Sequence, residues 1–315
     1  MRLGVTFPQI EIGPDPAAVR TFAEAVEALG YDYLTISDHV LGADMEQHRD
    51  WRPRAGQPPI YTKDDLFHEP LVLMGYLAAV TKKIGLATGV LVAPQRQTVL
   101  IAKQAAEVDV LSGGRLRLVI GTGWNDLEYR CLGMDFKDRG RRVEEQIKVL
   151  RELWTKESVT YEGVYHEIRG AGLNPLPCQR PIPLWLGGKA DVVLDRVARL
   201  ADGWSPPSAM TEPEIAESIK RLGMVAHSIG RDAAEIGIEG ILRLRGRSIT
   251  ETLKDLDMWS RLGATKVTFN TESDVMWRRL SGEAPDAPHL GFDLQSRIGM
   301  LADFIGQAKR AGFTQ

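Results

Sequence analysis

The residues best able to do chemistry in this 315-residue chain stand at the ends of short apolar runs. The run ending Ile36-Ser37-Asp38-His39 puts a carboxylate beside an imidazole. Histidine exchanges a proton near neutral pH, and a nearby acid can orient or charge it. Adjacent side chains often point apart, so Asp38 could equally cap the loop that follows. A second run, Leu86-Ala87-Thr88-Gly89-Val90-Leu91-Val92-Ala93-Pro94, holds a glycine among apolar and β-branched residues. Glycine there marks a bulge, a ligand close to the backbone, or plain packing. A third run leads into Gly121-Thr122-Gly123-Trp124-Asn125, a small-residue turn that lets a flat ring approach the backbone. It is not a dinucleotide fingerprint, because position 126 is Asp126 and not glycine. A fourth ends Trp185-Leu186-Gly187-Gly188-Lys189 at the start of a helix. Free N–H groups at a helix N-terminus beside a lysine suit a phosphate, although a Gly-Gly pair is also an ordinary strand-to-helix turn.

Other chemistries find little support. The six histidines form no H-x-H or H-E-x-x-H, so no metal site is expected. No G-x-S-x-G elbow and no G-x-x-x-x-G-K-[ST] loop occurs. His68-Glu69 could face the same rim or cap a helix, while His166 and His227 read as surface residues.

Positioning these residues requires a regular scaffold. Apolar runs at 3–7, 33–36, 84–91, 116–120, 183–186, near Trp204, 238–244 and 266–269 alternate with amphipathic stretches throughout. Val19, Phe22, Val26 and Leu29 form one helical face, Val143, Ile147, Leu150 and Trp154 a second, and Leu294, Ile298, Leu301 and Ile305 a third. Asp15 before Pro16, with Gly30 beyond, bounds the first of these helices. Such strand–helix pairs without a linker predict one α/β domain over 1–315, a (β/α)8 TIM barrel, with a doubly wound open sheet as the competing fold. Long stretches at about 40–69, 156–182 and 270–292 are insertions; the first and third follow strands and overhang the C-terminal face. Within the second, SVTYEGVYHEI reads as a hairpin turning at Glu162-Gly163.

Composition sets limits on partners. Thirty-nine Lys plus Arg against 42 Asp plus Glu gives a net charge of −3, which disfavours a nucleic-acid binder. Two cysteines, Cys131 and Cys178, give no disulfide framework and fit a reducing cytoplasm. No apolar run approaches the roughly 18 residues of a membrane span, and the first residues lack a signal-peptide pattern.

Four segments in order, SDHV at 37–40, ATGVLVAPQR at 87–96, IAKQAAEVDVLSGGRLRLVIGTGWNDLEY at 101–129, and PLWLGG through ARLADGW at 183–204, closely resemble the bacterial luciferase-like superfamily, in its coenzyme F420-dependent oxidoreductase branch. The likeness covers most of residues 1–205 and is loose beyond. It implies a luciferase-type barrel with a flavin or deazaflavin across its C-terminal mouth, and a non-proline cis peptide at Gly89-Val90 behind the ring. It further implies His39 as a proton-transfer group with Asp38 beside it. The same resemblance puts Thr88, Gly89, Val90, Thr122, Gly123 and Trp124 along the cofactor, and Gly187 and Gly188 on its phosphate side. Lys189 stands where many relatives have a small polar residue.

The reaction so implied is hydride transfer between coenzyme F420 and a small organic substrate. Trp51, Tyr61, Phe67, Trp277 and His289 would wall the pocket or anchor their own loops. One alternative is an FMN-dependent monooxygenase served by a separate flavin reductase, and another is a flavin- or deazaflavin-binding protein without turnover. The resemblance also implies a homodimer paired through early helices.

Overall fold

The structure, a computed structural model, describes residues 1–53, 56–208, 210–243, 248–271 and 293–314. In chain order the elements are β1 (Arg2–Thr6), α1 (Gln9–Ile12), α2 (Pro16–Leu29), β2 (Tyr33–Ile36), α3 (Pro70–Val80), β3 (Gly85–Thr88), β4 (Leu91–Val92), α4 (Thr98–Ser112), β5 (Leu116–Gly121), α5 (Asp126–Cys131) and α6 (Arg139–Thr155). There follow β6 (Val159–Glu162), β7 (Glu167–Ala171), β8 (Leu184–Gly187), α7 (Asp191–Leu200), β9 (Gly203–Ser205), α8 (Glu212–Ser228), β10 (Gly237–Arg243), α9 (Ile249–Arg261), β11 (Lys266–Asn270) and α10 (Leu294–Arg310). Strands β1, β2, β3, β5, β8, β9, β10 and β11 pair in parallel around a closed ring, with β11 returning to β1. This is a (β/α)8 TIM barrel, and the open-sheet alternative is excluded.

The third stave differs from its reading as one continuous run. It is split into β3 and β4 by a cis Gly89–Val90 peptide, and β4 resumes pairing with β5 at Leu91↔Ile120. The hairpin of β6 and β7 forms as expected, Gly163 N–H reaching the His166 carbonyl at 2.9 Å. His166 is not a surface residue: its ring lies between Glu145 (2.8 Å) and Thr98 (2.5 Å), docking the hairpin onto α6 and the start of α4. Residues 272–292, with Trp277 and His289, and Leu244 at the end of the seventh run lie outside the described residues.

Helix boundaries follow their local chemistry. The Asp15 carboxylate accepts from Ala17 N–H at 3.0 Å ahead of α2, and Gly30 closes it at φ 87°. Val143, Ile147, Leu150 and Trp154 of α6 are all buried, Phe304 of α10 stacks on Phe269, and so the helical faces read from periodicity form the outer core layer.

Inside the ring the lower half is filled by large side chains facing glycines. Tyr33 and Trp185 occupy the space left by Gly4, Gly203 and Gly237, where an added Cβ would come within 2.2–2.5 Å of their rings. Arg117 stacks on both rings and pairs bidentately with Glu239 at 2.8 and 2.9 Å. Burial pushes the Glu239 carboxyl up, but Arg117 and the Thr268 hydroxyl outweigh it and hold the group below its ordinary range. Among the described residues the bore is therefore filled at its lower end and opens towards the C-terminal ends of the strands.

Gly203→Ala forces a Cβ within 2.3 Å of the Trp185 ring and lowers stability by about 1–3 kcal/mol. Gly299→Ala, inside α10 with nothing near its added Cβ, raises it by up to about 1 kcal/mol. Urea unfolding of both variants checks the pair of signs.

Candidate active site

The break in the third stave creates a problem of hydrogen bonding that fixes the geometry of the mouth. Leu118 turns its N–H towards β8, bonding Pro183, so Val119 turns its own backbone groups towards the gap at residues 89–90. The Thr88 hydroxyl accepts from Val119 N–H at 2.9 Å and donates to its carbonyl at 2.8 Å. Thr88, expected along the cofactor, is thus fully buried and stitches two strands.

Asp38 plays a similar part on the other side of the break. Its carboxylate accepts from Val92 N–H at 2.9 Å and from Arg96 at 2.6 and 3.2 Å. Arg96 also reaches Glu69 at 2.8 Å, and Glu69 caps α3 by accepting from Val72 N–H at 2.7 Å. Asp38 was expected to act with His39 as a catalytic pair. It is instead 2% exposed and fully engaged in clamping the segment after the cis bond, so its role is positioning.

His39 faces the opposite way, towards α5. Its Nδ1 is buried without a hydrogen-bond partner and lies 3.8 Å from Oε1 of Glu128, a charge contact beyond hydrogen-bond range. The same Oε1 accepts from Val40 N–H (2.7 Å), Leu41 N–H (3.2 Å) and the Tyr61 hydroxyl (3.0 Å). Burial alone would raise the Glu128 carboxyl. The His39 imidazole and these two amides more than offset it, and the group is held below the usual carboxylate range. Tyr61 is pushed up, first by burial and then by the Glu128 charge, so it remains a hydroxyl donor. Asn125 completes the network, donating to Tyr61 at 2.6 Å while its carbonyl caps α5.

The glycines of the remaining strand ends make room for one side chain and for the rim surface. A Cβ at Gly121 would meet Val90 at 2.5 Å, one at Gly187 would meet Val90 at 3.0 Å, and one at Gly123 would meet Val92 at 2.6 Å. Val90 therefore lies across the barrel top, with the Gly89 backbone exposed beside it. Thr122, Gly123 and Trp124 form the half-buried rim above β5, and Gly187 and Gly188 that above β8, where Trp204 donates to the Gly188 carbonyl at 2.7 Å. Lys189 is exposed and extends towards Glu214, 3.7 Å away. Among the described residues no group of three His, Cys, Asp or Glu side chains could hold a metal ion. No described helix is long and apolar enough to cross a membrane.

The residues that sequence reasoning missed are Glu128, Asn125 and Arg96. All three carried a signal, Arg96 closing the matched segment 87–96 and Asn125 and Glu128 lying near the end of the segment 101–129, but nothing local tied them to Asp38 or His39.

A closed parallel barrel, broken in its third strand at a cis Gly89–Val90 bond beneath an imidazole-bearing rim, defines a luciferase-like barrel. Residues 2–244 match the model of the luciferase-like monooxygenases, and the chain belongs to that family. It is 31% identical over 273 residues to an uncharacterized protein of Mycobacterium tuberculosis, covering 85% of this chain and 91% of that one. It is 27% identical over 281 residues to the F420-dependent glucose-6-phosphate dehydrogenase of Amycolatopsis mediterranei, covering 86% and 78%. Among solved structures it superposes on the monooxygenase RslO1 from Streptomyces bottropensis with TM-score 0.70 at 15% identity, over 99% of both chains. An F420-dependent secondary alcohol dehydrogenase in complex with an F420-acetone adduct gives TM-score 0.70 at 17% identity, over 88% and 96%. Both structures share the fold with this chain.

Because the folded state holds Glu128 below its ordinary value of 4.5, ionised Glu128 contributes stability above that pH, and the contribution is lost as pH falls through 4.5 towards the lower folded value. Glu128→Gln removes this part of the acid limb. The stability difference between wild type and variant shrinks between pH 6 and 3 in parallel urea titrations.

Proposed function

We propose that this protein is an oxidoreductase transferring a hydride between the deazaflavin coenzyme F420 and a small organic substrate. The observation that carries the reading is the exposed Gly89 backbone at the cis bond, with Val90 lying on Gly121 and Gly187 and the His39 ring on the same rim. A flat tricyclic ring fits this arrangement, since side chains at 121, 123 or 187 would displace Val90 and Val92, which shape the floor. The named F420-dependent relative, at 27% identity, supports the choice of deazaflavin.

Gly89, Val90, Thr122, Gly123 and Trp124 would hold the ring, with Gly187, Gly188 and Lys189 towards the phosphate side. A bound deazaflavin supplies the hydride acceptor or donor. Everything else falls to the chain. With Nδ1 buried 3.8 Å from Glu128, His39 exchanges a proton with substrate oxygen through Nε2. Asp38 and Arg96 keep the floor in place, and the 40–69 segment keeps water from His39 by packing Tyr61 and Phe67 on its ring at 3.9 and 4.8 Å.

A homodimer accompanies this reading. Helix α3 is apolar on all sides, yet Val72 is 69% exposed, and Leu100 and Leu111 on the adjoining α4 are 52% and 59% exposed. A helix of that kind is normally covered. Light scattering is expected to give twice the chain mass, and the Val72→Lys, Leu100→Lys double variant the single mass.

Titrating cofactor-stripped protein with coenzyme F420 and with FMN tests the cofactor directly. Tight deazaflavin binding with weak FMN binding is expected, and His39→Ala should keep that affinity while turnover falls about 10²–10⁴-fold. Preference for FMN together with oxygen consumption would replace hydride transfer by oxygen insertion. Unchanged turnover in His39→Ala would remove the proton role.

A further inference from the structure

The surroundings of His39 bear on what it acts upon, given the oxidoreductase reading above. One side of the mouth is a row of rings. Phe67 meets His39 edge-on at 4.8 Å, Trp124 meets it at 5.9 Å, and Trp51 lies 6.3 Å from Trp124. Trp51 is pinned there by its indole N–H, which donates to Asp126 at 2.8 Å. Tyr61 is buried beneath the row, 5.1 Å from Phe67 and 5.4 Å from Trp124. Phe67, Trp124 and Trp51 are each only partly buried, so their rings border the mouth as well as one another.

Among the described residues, the charge placed directly against His39 is negative. Glu128 is ionised, lies directly behind His39 and carries a buried negative charge. Two of the cations at the described strand ends are paired with carboxylates, Arg96 with Asp38 and Glu69 and Lys189 with Glu214, while Arg243 donates to the Ser208 hydroxyl. An anionic group brought to His39 would lose hydration against the Phe67 and Trp124 rings and with the Glu128 carboxylate 3.8 Å from the imidazole Nδ1.

We propose that the substrate position beside His39 takes an uncharged, ring-bearing or otherwise apolar alcohol or ketone, and discriminates against phosphorylated or carboxylated substrates. Flat apolar surface is what rings of this kind recognise, and the imidazole among them suits a single oxygen. The hydride moves between the carbinol carbon and the deazaflavin while the oxygen exchanges its proton with His39, so the reaction balances with no further reagent. The named dehydrogenase relative acts on glucose 6-phosphate, and this chain's rim is built for a different class.

The test is calorimetric binding of two probes of equal shape and opposite character, neutral 2-acetylnaphthalene and anionic 2-naphthoate, with glucose 6-phosphate as a third. They are titrated into the deazaflavin-loaded protein and into the cofactor-free protein. The neutral ketone is expected to bind at least tenfold more tightly than either anion. Trp51→Ala and Phe67→Ala should each weaken the ketone about tenfold without changing deazaflavin affinity, as loss of a ring contact implies. Glu128→Gln should narrow the gap between ketone and naphthoate. Equal or tighter binding of an anion, ketone binding indifferent to both aromatic variants, or no binding of the ketone overturns the proposal. Failure of the protein to take up deazaflavin would instead sink the cofactor assignment, and the cofactor-free titrations would still decide the question of charge.

Discussion

A closed parallel barrel cannot lose two residues from one stave without leaving backbone groups of its neighbours unpaired, and the mouth of this protein is organised around that constraint. The gap at Gly89–Val90 faces Val119 on one side, and the resumed strand exposes Val92 N–H on the other. The Thr88 hydroxyl serves both groups of Val119, and the Asp38 carboxylate serves Val92. Arg96 then neutralises Asp38 and carries the restraint on to Glu69 at the head of α3. Buried donors and acceptors left unmatched cost about 1–3 kcal/mol each, so these side chains are as necessary to the floor as the glycines that make room for it.

That division of labour explains why adjacent residues have such different duties. Asp38 and His39 follow one another at the end of β2, and the backbone sends their side chains to opposite sides. One goes down into the scaffold that maintains the break. The other goes up into the ring of aromatic side chains, where its carboxylate comes from α5. Glu128 is 88 residues from Val40, from whose amide it accepts, and it binds the start of the 40–69 segment to the fourth strand–helix unit in the same act by which it sets a carboxylate beside His39. The charge beside the imidazole and the anchoring of the loop above it are therefore one interaction.

The scaffold was legible because its signals are periodic. Apolar runs and helical faces repeat at spacings that follow from strand and helix geometry, and the helix limits at Asp15 and Gly30 follow from caps. The interruption in the third stave was legible only as a glycine in an apolar run, with the cis bond supplied by resemblance. Local spacing could not distinguish Asp38 as clamp from Asp38 as acid, because the partner that decides, Arg96, is 58 residues away. Thr88 was placed along the cofactor by the resemblance, which could not show that its hydroxyl answers a vacancy on β5 that exists only once the barrel has closed. His166 looked like a hairpin surface residue until the hairpin had somewhere to dock.

The lower half of the barrel completes the account of why chemistry is confined to one end. Tyr33 and Trp185 fill the bore where three neighbouring strand positions are glycine, and the Arg117–Glu239 pair between them is satisfied on every side by rings and the Thr268 hydroxyl. A pair so enclosed is held by geometry, since removing either member would strand a buried charge at a cost of about 3–5 kcal/mol. Above it the inward side chains become small, Thr6 bonding Thr35 at 3.2 Å and then Gly89, Gly121 and Gly187, so the bore widens into a shallow floor. The rigid charged plug and the glycine-lined floor are two ends of one packing solution. Bulk that would have filled the top is placed at the bottom, and the flat surface left at the strand ends is where His39 can meet a ligand.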